Sequence, residues 1–335
     1  MKTEITLVVA VLASGFAAIF LLAEAKTHAY PPAKSTYSSQ SVNRQAFAPN
    51  ANAPQEIPRV ATSVSHRPDF DTSYNEIIQK AAYTLNHSVP LSARMRYKIE
   101  LFGESITGPG KYLQKGQGTR LTRMQFDFGF DNSTVQFHQF CDGERLYTLE
   151  VAGDETELTF VDLRQLDALQ QEVRTASRVN SWLSVGSLTG LMEQLATHFE
   201  FTEVQQTTLG SIPVLVCTGQ WNANALQRLL EGQHFVKAIK DSEVNWQQLP
   251  KHLPHRVKLT LGIDQKFPYF PYRIVFERYE MVDGIRLANE ITVLEFFEVK
   301  HDPNLTDEMF TIPTLLATPK DETDFYRKRI RQFTR

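Results

Sequence analysis

The chain has 335 residues, of which 42% are hydrophobic and 22% charged, an ordinary globular composition with material for a sizeable core in one large domain or two smaller ones. The net charge of -3 and the pI near 6.3 exclude any general pull toward nucleic acid. Phenylalanine is the departure, at 22 residues against 11 tyrosines.

The first predicted element is "ITLVVAVLASGFAAIFLL", residues 5–22, uncharged, preceded by Lys2 and followed by Ala23-Glu24-Ala25. An apolar run with a small-x-small site behind it has the layout of a secretory signal and implies export. As a helix it would reach about 27 Å, nearly the thickness of a bilayer core. A cleaved signal and an uncleaved membrane anchor, residues 1–25, therefore both fit. Either places the rest of the chain in the periplasm or cell envelope. No cysteine stands behind the run, which excludes lipid attachment to a new N-terminal cysteine. Residues 26–68 hold six prolines (Pro31, Pro32, Pro49, Pro54, Pro58 and Pro68) among Ser, Asn, Gln and Ala. Without an apolar period, this is the pattern of a disordered linker. A coil of that length spans about 35 Å, a reach that suits a tether and inclines the reading toward an anchor, with the membrane as a partner through the N-terminal segment.

The folded part, residues 69–316, opens with "SYNEIIQKAAYTLNH". Ser73 and Glu76 stand at capping-box spacing, and Tyr74, Ile77, Ile78, Ala81 and Leu85 form one apolar stripe, which predicts a helix lying on a core. In "RMRYKIELF", Met95, Tyr97, Ile99 and Leu101 alternate with Arg94, Arg96, Lys98 and Glu100, an antiparallel strand with one wet face. "GESITGPGK" reads as a turn, and a long strand is expected from about Tyr112 to Phe130. Leu121 and Met124 are out of phase in it, so a bulge is expected near Thr122 and Arg123. Its end, "MQFDFGF", projects Met124, Phe126, Phe128 and Phe130 to one side.

"VQFHQFCDGERLYTLEV" reads as a hairpin with Asp142-Gly143 as its two-residue turn, and "ETELTFVDL" as the next strand. Two helical stretches follow, "LRQLDALQQEVR" and "SLTGLMEQLATHF", the second with Leu188, Leu191, Met192, Leu195 and Phe199 on one side. A second hairpin turns around Leu209-Gly210-Ser211. "NANALQRLLEG" suggests a short helix, and the stretch to His255 is irregular. "HRVKLTLGID", "YRIVFERYEM" and "LANEITVLEFFEV" are strands again. The expected class is α+β, a strongly curved antiparallel sheet with helices on one face.

Chemistry-bearing motifs are scarce. No phosphate-cradling G-x-x-x-x-G-K-[ST], no H-E-x-x-H helix and no G-x-S-x-G elbow occurs. "KGQG" (115–118) lacks a third glycine at dinucleotide-binding spacing and reads as a turn or strand kink. His252 and His255 in "HLPH" fit loop surface better than a metal site. No cofactor and no catalytic cluster is indicated. Cys141 and Cys217 sit in apolar strand-like runs, where a disulfide and two buried free thiols are equally open to an exported chain. The tail, residues 317–335, ends in "YRKRIRQFTR". It reads as a solvated, partly helical segment in preference to a membrane-surface one.

Three stretches resemble a known family. "YLQKGQGTRLTRMQFDF" is similar to the long second strand of the periplasmic lipoprotein carriers of the LolA kind, entered through a Gly-x-Gly. "CDGERLYTLEV" resembles their strand-turn-strand, and "NLTDEMFTIP" their closing segment. With the leading helix the likeness covers roughly residues 70–316 in order of elements. It implies a half-open antiparallel barrel whose concave, aromatic-rich interior is lidded by helices and receives acyl chains without covalent chemistry. It also implies an arginine late in the second strand that latches the lid. Arg123 is the nearest position, one residue off, with Met124 where the family tends to have Pro. The long linker, the insertion between Trp221 and His255 and the basic tail depart from the family.

The expected ligand face comprises Met95, Tyr97, Ile99, Met124, Phe126, Phe128 and Phe130 from the strands with Leu191, Met192 and Leu195 from the lid. Covering one phenylalanine is worth about 2 to 3 kcal/mol, so these rings must be covered by core or by ligand. The functional expectation is a lipid or a lipoprotein acyl chain as partner. The alternative is a membrane-tethered sensor or protein-interaction module of the same fold with no lipid ligand.

Overall fold

The computed structural model describes residues 73–101, 104–130, 133–176, 187–230, 239–240, 243–246, 249, 253–282, 285–312 and 318–332. The N-terminal apolar run, the proline-rich linker and much of the insertion before His255 lie outside the described residues. Among the described residues no helix is long and apolar enough to cross a membrane.

Alternation of apolar and polar residues produces two meanders. The first contains β1 (Leu91–Leu101), β2 (Glu104–Gln114), β3 (Leu121–Phe130), β4 (Ser133–Asp142), β5 (Arg145–Ala152) and β6 (Glu155–Asp162). The second contains β7 (Phe199–Leu209), β8 (Ile212–Trp221), β11 (Arg256–Gly262), β12 (Pro271–Val282) and β13 (Ile285–His301), with the short pair β9 (Ile239–Lys240) and β10 (Glu243–Val244) beside it. The meanders join where β1 pairs antiparallel with β13, from Leu91 opposite His301 to Ile99 opposite Thr292. With β14 (Lys320–Asp321) parallel to β6, the order is β14-β6-β5-β4-β3-β2-β1-β13-β12-β11-β8-β7, a strongly curved half-open barrel of α+β class.

Helices supply the inner layer: α1 (Tyr74–His87), α2 (Leu163–Ala176), α3 (Leu188–His198), α4 (Ala223–Leu230) and α5 (Thr323–Gln332). The stripe expected on α1 is buried through Ile77, Ile78, Ala81 and Leu85. Ser73 makes no side-chain cap. The cap forms on α3 instead, where the Ser187 hydroxyl accepts from the Gly190 N–H at 2.9 Å.

Four local expectations need correction. The Gly/Pro stretch "GESITGPGK" is not a turn: residues 104–111 belong to β2, and β1 pairs with it without a break. The long strand is two strands, parted at 115–120, where Gly116, Gln117, Gly118 and Arg120 take positive φ. Leu121 and Met124 are out of phase because they serve opposite faces, and the β2–β3 and β3–β4 registers run without a shift there. Leu121 packs outward on Leu113, Leu305 and Phe310, a patch closed by the 302–312 segment. The first hairpin turns one residue later than expected, at Gly143-Glu144, with Gly143 at φ +92 and the Asp142 carboxylate accepting from the Glu144 and Arg145 N–H groups.

On the outer face the wet side of β1 meets β13 and β12 through ion pairs: Arg94 with Glu298, and Arg96 and Arg273 with Glu295. Glu277, on β12, is held by Arg256 and Lys258 of β11.

Candidate functional site

Met95, Tyr97 and Ile99 of β1, Met124, Phe126 and Phe128 of β3, and Leu191, Met192 and Leu195 of α3 all join one buried cluster in the hollow of the sheet. None of them is more than 6% exposed. Phe130 pairs by backbone with Ser133, and its side chain lies outside the described residues.

The rings form a continuous ladder. Tyr97 lies 5.3 Å from Phe126 and 5.8 Å from Phe128, centroid to centroid, and Phe126 stacks on Phe128 at 5.8 Å and on Phe137 of β4 at 6.5 Å. The floor beneath is made by glycine. Gly110 of β2 is paired with Phe126. A Cβ on Gly110 would collide with the Gln125 carbonyl and the Phe126 ring, and one on Gly108 with the Asp127 carbonyl and the Phe128 ring. Two strand positions without side chains thus leave the space that two phenylalanines fill. Tyr97 hydrogen-bonds with Thr292, and burial raises its phenol well above the ordinary range. It stays neutral, as an apolar wall requires.

The lid is the helix pair α1 and α3, which pack on each other and lie most closely along β7. At that edge Asn75 satisfies its whole amide: Nδ2 donates to the Ala196 and Phe199 carbonyls, both at 2.8 Å, and Oδ1 accepts from the Phe201 N–H at 2.9 Å. At the far end the Tyr112 hydroxyl donates to Gln114 Oε1 at 2.6 Å, and Gln114 Nε2 donates to the Leu85 carbonyl at the end of α1. The 115–120 loop adds N–H bonds from Gly118 to Asn86 and from Gln117 to Ser88. Gly116 is obligatory there, since its φ is +68 and a Cβ would strike the Ser88 carbonyl.

Arg123 lies elsewhere. It projects from the outer face of β3, donates to the Met309 carbonyl at 3.2 Å and lies 4.8 Å over the Phe140 ring. Asn75, Gln114 and the 115–120 loop, not Arg123, bond the sheet to the ends of the lid. The cysteines are both free and buried. Cys141 packs with Leu146 and Leu163, and Cys217, on the other arm of the sheet, packs in the main core. The disulfide alternative therefore gives way to two buried thiols, which burial pushes up to about 11 for Cys141 and about 12 for Cys217. His255 is buried, with its Nδ1 accepting from the Tyr279 N–H at 2.8 Å. His252 lies outside the described residues, and no group of three metal-binding side chains occurs among the described ones.

Two inward side chains were missed in the sequence. Gln139 on β4 and Glu150 on β5 are buried on the concave face, beyond Phe137. The available signal was their position: Val135, Phe137, Gln139 and Cys141 alternate, so Gln139 falls on the inward side.

No protein-family model matches the chain, and no curated protein matches it. Among solved structures it is similar to a LolA superfamily protein from Nitrosomonas europaea, at 12% identity over 72% of this chain and 98% of that one, TM-score 0.28. It is also similar to a putative outer membrane lipoprotein-sorting protein domain from Vibrio parahaemolyticus, at 10% identity over 76% and 97%, TM-score 0.30. A third similar structure is LprF from Mycobacterium bovis, at 11% identity over 72% and 95%, TM-score 0.32.

Proposed function

We propose that the chain is a non-enzymatic binding protein of the cell envelope that holds the acyl chain of a lipid or lipoprotein against its concave aromatic face. The observation that carries this reading is the ladder of Tyr97, Phe126, Phe128 and Phe137 on a glycine floor, under helices bound to the sheet by hydrogen bonds at their two ends. Moving such a lid exposes rings at about 2 to 3 kcal/mol for each phenylalanine. An acyl chain returns about 0.8 kcal/mol for each buried methylene. About ten methylenes therefore offset three rings, and chains of ordinary membrane length exceed that. The N-terminal apolar run supplies export and, where retained, an anchor.

The test is lipid extraction from the purified full chain followed by mass spectrometry, with titration of a fluorescent fatty acid into the delipidated protein. Bound lipid and saturable fluorescence are the expected result. A lipid-free preparation that ignores the probe while crosslinking through the lid to a protein would replace this reading with the sensor alternative.

A further inference from the structure

We propose that the concave face carries a polar subsite, formed by Gln139 and Glu150, which takes the uncharged hydroxyl-bearing head group of an acyl lipid and turns away anionic heads. The inference rests on the acyl-binding reading and specifies the other end of the same ligand.

The sheet register places the subsite at the end of the aromatic ladder. Across the inner face, Phe126 pairs with Phe137, Phe137 with Glu150, and Glu150 with Glu157. In the next row Met124 pairs with Gln139, Gln139 with Thr148, and Thr148 with Thr159. Gln139 and Glu150 are thus diagonal neighbours on one face of an antiparallel pair, about 7 to 8 Å apart in the backbone and within reach of one small polar group. They are 7% and 8% exposed. A tail lying along Phe128, Phe126 and Phe137 would deliver its head to them.

Their hydrogen-bonding state asks for a ligand of defined chemistry. Gln139 Oε1 is buried and has no hydrogen-bond partner, an acceptor left without a donor where native structures almost always provide one. Glu150 makes no ion pair among the described residues. The charged groups around it are Glu157 on β6 and Glu322 just before α5, and the rim cation Lys320 bridges to those two at 3.9 and 3.3 Å. Burial first, then the two neighbouring carboxylates, pushes Glu150 up to about 8. At neutral pH it is mainly a carboxylic acid, with one O–H to donate and one carbonyl to accept. An open acceptor beside a donor-acceptor pair matches the adjacent hydroxyls of a glycerol. A carboxylate or phosphate would meet an unpaired amide oxygen and two further negative charges instead.

The experiment is equilibrium dialysis of the delipidated full chain against radiolabelled 1-monooleoylglycerol and radiolabelled oleate, which share a tail, at pH 7 and pH 9.5. Binding of the glycerol ester at least tenfold tighter at pH 7, a gap reduced to within threefold by Gln139→Met, is the expected result. At pH 9.5 ionised Glu150 weakens binding of oleate further in the wild type, and Glu150→Gln removes that loss. Equal binding of the two ligands by the wild type overturns the subsite and leaves acyl binding intact, and this comparison needs no variant to fold. Binding of neither ligand overturns the acyl-binding reading, and the subsite with it.

Discussion

Gly108 and Gly110 show how a single missing atom shapes the concave face of the sheet. Glycine in a strand costs backbone entropy, and here the Phe126 and Phe128 rings lie over the gaps. The device recurs on the other arm, where the Phe201 ring covers Gly219 opposite it. Glu150 is the opposite case, a polar residue held where an apolar one would pack. Its folded-state value, raised to about 8, exceeds an ordinary glutamate near 4.3 in the unfolded chain. The stability this gives the folded form is complete below about pH 4.3 and drains away as pH rises toward 8, because only the unfolded chain ionises freely in that window. Thermal melts of Glu150→Gln should therefore lose less stability than the wild type between pH 5 and pH 8, and parallel pH profiles would show that the carboxyl is not buried as described. Neither residue type was legible as what it is. The alternation of Val257, Leu259 and Leu261 reads directly as an inward row, whereas a Gly-Pro-Gly in the same setting imitates a turn until the rings above it are known. The alternation of β4 puts Gln139 inward, but its diagonal pairing with Glu150 appears only through cross-strand register, which one strand's sequence does not contain.

At the scale of elements, the lid is a pair of helices distant in sequence, whose contacts along their length are apolar and whose polar bonds sit at the ends. Asn75 is the clamp at the β7 edge, joining the start of α1 to the junction of α3 with β7. Asn75→Ala removes three hydrogen bonds and leaves the buried Phe201 region with an unsatisfied N–H, a cost of about 1 to 3 kcal/mol. Hydrogen–deuterium exchange should then speed up across α1 and α3 and leave β1 and β13 unchanged; uniform acceleration throughout the sheet would argue that the helices open only with global unfolding. The existence and apolar faces of both helices were legible from 3.6-residue periodicity. Their attachment was not, since Asn75 bonds to backbone about 120 residues away and Gln114 reads as an unremarkable end of a strand. Arg123, the family-like latch, instead grips the 302–312 segment on the outer wall.

At the largest scale, the sheet of twelve strands formed by the described residues has two edges to protect. The β7 edge exposes Glu200, Glu203, Gln205 and Gln206, which discourage pairing with another chain. The β6 edge is capped by Lys320 and Asp321, and α5 then lays Tyr326 over Val161, Leu166 and Leu169. Removing residues 318–335 should expose that edge and its apolar patch together. Size-exclusion chromatography across a concentration series should show the shortened chain associating while the full chain does not; concentration-independent elution of both would assign the tail no protective role.

The seam between β1 and β13 has a consequence for biogenesis. Its partners, such as Leu91 and His301, stand more than two hundred positions apart, so each arm can collapse early but the bowl cannot close until almost the entire polypeptide has emerged. A nascent chain would therefore stay extended at its core for most of its synthesis, with the aromatic hollow assembled only at the end.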